Sequence, residues 1–243
     1  MKNYLAFDIE TAKVTPDESK LKDHRPLGIS CAALAWVEDG NIETMAFSGK
    51  NGMSLPSPQM SKEECVAFVD TLYAAAKGKG FTLLAHNGLG FDFDILAEES
   101  GMHDTCAELA LHSVDTCLLV HCLKGFPVGL EAIVKGMGLS GKTEGMSGAL
   151  APPMWAEGRC DEVLEYVQQD ARATLRVALE IEKRKGLMWI AKSGRCNSLP
   201  IPKLLTAAEA LQLPEPDTSW MTEPIPRSRF TGWIDALISD LEG

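Results

Sequence analysis

The chain has 243 residues, 45% of them apolar, 23% charged, and a formal net charge of −11. No apolar run approaches the ~20 residues that cross a bilayer, so no membrane partner is expected. So acidic a chain is a poor candidate for broad duplex binding through a basic surface. The start MKNYLAFDIET lacks a signal-peptide core, and a cytoplasmic location is expected. Seven scattered cysteines without a CxxC pair point to reduced thiols rather than a disulfide framework or zinc site.

In chain order, residues 3–10 read as a short buried strand, bounded by polar residues. Residues 29–37 and 41–47 flank Glu38-Asp39-Gly40, a hairpin signal. Ser61 and Glu64 have the spacing of a capping box. The helix they open runs to about Ala76 and is ended by Gly78 and Gly80. Phe81–Ala85 is a further strand, His86–Gly90 a loop, and a helix begins near Asp92. A short strand at Ser113–Thr116 leads into helical Cys117–Leu123, and Leu130–Met137 is helical up to Gly138. Residues 138–158, rich in Gly, Ser and Pro, read as a loop. From Asp161 to about Lys185, Val163, Leu164, Val167, Ala171, Leu175, Ala178 and Leu179 form the stripe of an amphipathic helix. Strands followed by helices interleaved with short strands give an α/β chain with a mixed sheet. Residues 1–185 are read as its domain. Residues 186–243, punctuated by prolines and anchored by Trp189, Trp220 and Trp233, are read as an extension packed on that core.

Three patterns carry chemistry. Asp8 and Glu10, two apart on a strand, project from one face. Carboxylates ~5 Å apart repel by roughly 3 kcal/mol at an effective dielectric of about 20, and a divalent cation removes that penalty. Asn87-x3-Phe91-Asp92 follows a strand, with Asp92 where a helix dipole favours a carboxylate. Asp94 competes with Asp92 for the same role. Tyr166 and Asp170, four apart on a helix, share a face; Asp170 falls beside the apolar stripe, where an unpartnered charge is expensive. Each pattern alone is also compatible with ordinary surface acids, an Asn-Gly turn with a helix cap, or a helix edge.

Taken together, an acid pair on the first strand, Asn-x3-Phe-Asp near mid-chain and Tyr-x3-Asp on a late helix resemble the DEDD superfamily of 3′–5′ exonucleases, in its Tyr-containing branch. The Asn-x3-Phe-Asp spacing is similar to that of proofreading domains in family B DNA polymerases. The resemblance covers about residues 1–185, and FDIET is its most specific piece. It implies a ribonuclease H-like fold and hydrolysis of single-stranded DNA or, alternatively, RNA from a 3′ terminus. It implies Asp8, Glu10, Asp92 and Asp170 as ligands of two divalent ions, Mg²⁺ or Mn²⁺, with Tyr166 orienting the attacking water. Hard oxygen donors suit such cations, and a metal pair ~3.5–4 Å apart serves phosphodiester hydrolysis. Thr11, Asn87, Phe91 and Lys142 are candidate substrate contacts. Asp115 is expected to be structural, and His86 to serve the loop.

The segment from Lys183 to Arg229 is net basic within an acidic chain, a composition suited to a single-stranded path. Its tryptophans are expected to pack on the core. A metal-dependent endonuclease, a non-catalytic single-strand-binding module and a soluble interaction protein are the competing readings. Any replication or repair partner is expected on a separate chain.

Overall fold

The structure is a computed structural model that describes residues 3–16, 21, 23–51, 55–139 and 147–234. Strand β1 (Tyr4–Thr11) is followed by β2 (Ile29–Glu38) and β3 (Asn41–Ser48). Asp39 and Gly40 join the last two strands, both at positive φ (49° and 82°), as a hairpin turn matched to strand twist requires. Helix α1 (Lys62–Tyr73) opens on the expected capping box: Ser61 accepts from the Glu64 amide and Glu64 from the Ser61 amide. One wider turn carries it to Gly78. Then come β4 (Thr82–Ala85), α2 (Asp92–Ser100), α3 (His103–His112), β5 (Val114–Asp115), α4 (Thr116–Lys124) and α5 (Leu130–Met137). Helix α6 (Ala151–Ala156) precedes the long α7 (Cys160–Arg184).

Two local features depart from the sequence expectation. Within 138–158, read as a loop, residues 151–156 form α6, and Met154 and Trp155 are buried. Prolines 152 and 153 occupy its first turn, where a missing amide hydrogen breaks no intrahelical bond. Helix α3, over residues for which the sequence predicts no element, buries Cys106, Ala107, Leu109, Ala110 and Leu111.

The sheet is mixed and five-stranded, in the order β3-β2-β1-β4-β5. Strand β2 runs antiparallel to β1 and β3, whereas β4 is parallel to β1 and to β5. Helices flank both faces. On one face Phe7 meets Phe68 of α1 and Phe93 of α2 edge-on, with ring centroids 6.4 and 4.8 Å away. The opposite face of the β1–β2–β3 region carries small side chains. Ala6 lies opposite Ala35, Asp8 opposite Ala33 and Glu10 opposite Cys31, with Thr44, Ala46 and Ser48 next on β3. That low relief lets α7 lie close to the sheet. Thr44 donates to Gln168 on α7 and accepts from Arg172.

After α7 the chain forms a two-stranded hairpin, β6 (Gly186–Ile190) and β7 (Cys196–Pro200), then short helices α8 (Ala207–Leu211) and α9 (Ser228–Thr231). This segment lies against the core: Ala207 donates to Ser113 O, His121 Nε2 to Ile225 O, and Trp233 Nε1 to Leu89 O. Trp189 is buried and Trp233 half-buried, as expected of anchors, but Trp220 is 65% exposed, meeting the edge of Phe126 and donating to Asp217 O. Among the described residues no helix is long and apolar enough to cross a membrane.

Candidate active site

Asp8 and Glu10 stand on the α7-facing side of β1, beyond the stretch where β4 pairs with it (Tyr4–Ala6). Between Glu10 and Thr11 the β1–β2 register shifts, leaving Ser30 as the extra residue; its hydroxyl donates to the carbonyls of Glu10 and Thr11. Such a bulge re-aims side chains at the end of a ladder. Here it turns Glu10 and Thr11 into the site, both nearly buried.

Asp92 opens α2 and is buried. Its Oδ1 accepts from the Ile9 amide at 3.2 Å, a donor that lies past the last β4 pairing. The carboxyl group thus takes the place of a missing strand and is held at the level of Asp8 and Glu10. Burial, then the neighbouring carboxylates of Asp115 and Asp170, push its pKa up to about 7 against the pull of the Ile9 bond.

Asp94 is paired with a residue far away in sequence. Arg25 grips it through two bonds of 2.9 and 2.6 Å and also approaches Glu98 at 3.6 Å. Such a bidentate pair satisfies a carboxylate, so Asp94 anchors Arg25 while Asp92 faces the acids.

Asp115 is structural, as expected. It is 1% exposed and accepts from the amides of Asn87, Leu89, Cys117 and Leu118 at 2.9–3.0 Å. One carboxylate therefore caps α4 and shapes the 86–90 loop. In that loop Asn87 takes φ 72°, a left-handed conformation asparagine tolerates. A side chain at Gly90 would meet Asn87 Oδ1 at 2.9 Å and Phe230 at 3.0 Å. His86 contacts Thr116 Oγ1 through Nδ1.

Tyr166 and Asp170 come from α7, both almost fully buried. Burial, the charges of Asp170, Glu10 and Asp8, and a hydrogen bond to Asp170 all hold the Tyr166 phenol strongly protonated. The Cys31 thiol, opposite Glu10, is likewise raised by burial and then by Glu10.

These segments meet in one cavity of about 710 Å³ lined by Asp8, Glu10, Thr11, Asp92, Tyr166 and Asp170, with Phe91 and His86 at its side. A second lobe of about 850 Å³ shares Asp8, Asp170, His86 and Phe91 and extends to Asn87, Arg25 and the 225–230 segment. Of the expected residues, only Lys142 lies outside the described part of the chain. The sequence reading gave Arg25 no role and did not place Arg229 at the cleft. Neither carries a local pattern, because what places each is a contact with a distant segment.

Among the described residues, no three His, Cys, Asp or Glu side chains are close enough together to form a ready-made metal cage. The acids line a common space rather than converging on a point. Neither a comparison with family models nor one with curated proteins finds a match for this chain.

Proposed function

We propose that this chain is a metal-dependent 3′–5′ exonuclease of the DEDD type, built on a ribonuclease H-like sheet. One observation carries the reading. Asp8, Glu10, Asp92, Tyr166 and Asp170, drawn from a central strand, a helix start and a late helix, line a single cavity. The mixed order β3-β2-β1-β4-β5, with helices on both faces, is compatible with that fold.

The donor set fits hard dications by its chemistry, because the four expected ligands offer only carboxylate oxygens. The raised Asp92 carboxyl fits too: burial first, and then the charges of Asp115 and Asp170, disfavour its anion, and a bound cation would favour it. Asp8, Glu10, Asp92 and Asp170 would hold the ions. When bound, magnesium or manganese supplies a water nucleophile near neutral pH and charge relief at the leaving 3′-oxygen.

The protein's own groups have the remaining roles. Tyr166, protonated and bonded to Asp170, presents a fixed hydroxyl to the cavity that can orient a water. The Ile9 amide fixes the Asp92 carboxyl group. Asn87, Phe91 and Thr11 border the space a strand end would fill.

The test uses 5′-labelled DNA and RNA oligonucleotides with magnesium or manganese and Asp8→Ala as control. The expected result is a ladder shortening from the 3′ end. In the variant the rate falls by at least about 100-fold, since even residues behind metal ligands are worth 10–100-fold. Cutting of a circular substrate would make the chain an endonuclease. Tight single-strand binding with no hydrolysis in manganese would make it a binding module.

A further inference from the structure

We infer that the C-terminal segment supplies part of the substrate cleft, with Arg229 holding a backbone phosphate of the strand beside the one being cut. The inference rests on the nuclease reading above.

Only two arginines line the two lobes among the described residues, Arg25 and Arg229. Arg25 is committed to Asp94 and Glu98. The Arg229 guanidinium makes no ion pair or side-chain hydrogen bond among the described residues, and its charge reaches the lobe wall at Cys117. Arg227, two residues earlier, is a useful contrast. It is spent on the carbonyls of Leu211 and Pro214 and on Glu215, and so secures the segment itself.

Arg229 is also held in place. The next residue, Phe230, is buried, with its ring 4.8 Å from that of His121. Three residues further on, Trp233 donates to Leu89 O at 2.7 Å. These contacts tie the segment to α4 and to the same 86–90 loop that carries Asn87. The chain that carries this cation is thus fixed at the rim of an anionic cleft in a protein of net charge −11. A polyanionic strand entering that cleft needs a local positive contact, and guanidinium is the side chain suited to planar, bidentate phosphate binding.

The full-length protein tests this with three variants, Arg229→Ala, Arg229→Lys and Lys192→Ala. Lys192 is an exposed cation of the same segment that lines neither lobe. Steady-state hydrolysis of a labelled single strand is measured in manganese. Strand affinity is measured by anisotropy in an Asp8→Ala background over a salt series. For Arg229→Ala, KM rises about tenfold or more with kcat little changed, as loss of a hydrogen bond to a charged group implies. The plot of log affinity against log salt becomes shallower by about 0.7, the share of one phosphate contact on a single strand. Arg229→Lys recovers part of the loss, and Lys192→Ala leaves both readouts in place. An active wild type whose KM and salt slope survive Arg229→Ala, or respond equally to Lys192→Ala, overturns the inference and leaves the nuclease reading standing. A wild type that neither binds nor cuts overturns that reading, and this inference with it.

Discussion

The two faces of β1 share one backbone and have opposite energetics. Leu5, Phe7 and Ile9 are buried, and Phe7 lies within an aromatic cluster with α1 and α2. Ala6, Asp8 and Glu10 point the other way, toward α7 and a cavity shared with Asp92 and Asp170. The first face gains from hydrophobic burial. The second gathers carboxylates whose charges oppose one another. A chemically demanding site can be tolerated because the opposite side of the same strand is well packed.

The largest effect should come from the packed side. Phe7→Ala is expected to lower stability by about 3–5 kcal/mol, read as a fall in the urea midpoint. A loss below about 1 kcal/mol would mean that the two faces are not so different.

Next comes the acid face in the presence of a chelator. The folded-state pKa of Asp92 lies near 7, above that of an unfolded aspartate. As pH rises from about 4 to 7, the unfolded chain releases this proton and the folded chain retains it, so stability falls over that window and then levels off. Asp92→Asn keeps an oxygen for the Ile9 amide and removes the charge. It should be more stable than wild type at pH 8, by on the order of 4 kcal/mol, and indistinguishable below pH 4. Equal pH profiles for the two proteins would remove the claim that burial and neighbouring charge hold this carboxyl protonated.

The smallest effect concerns Tyr166→Phe. The ring stays buried and only the hydroxyl bonded to Asp170 is lost. Hydrolysis should slow by about tenfold, the share of one lost hydrogen bond at the lower end for charged partners. A variant as inactive as Asp8→Ala would place the phenol among the indispensable groups.

Much of this contrast was legible in the sequence because it depends on short-range periodicity. Alternation on β1 put Asp8 and Glu10 on one face, four-residue spacing put Tyr166 beside Asp170, and the Ser61–Glu64 box marked the start of α1. What escaped was set by distance or composition. The different surroundings of Asp92 and Asp94 depend on Arg25, 69 residues before Asp94. Pro152 and Pro153 gave the loop reading to a segment where a helix begins. The lodging of Phe230 depends on His121, which lies on α4, far earlier in the chain.

The row of alanine, serine, threonine and cysteine side chains beneath α7 does no chemistry, yet it sets the height at which that helix rides. A bulkier group at Ala33, directly opposite Asp8 and fully buried, would act as a shim, lifting Tyr166 and Asp170 away from the first strand while leaving every reactive group intact. Two of the five cavity-lining candidates are therefore positioned by how small the side chains on the neighbouring strands are.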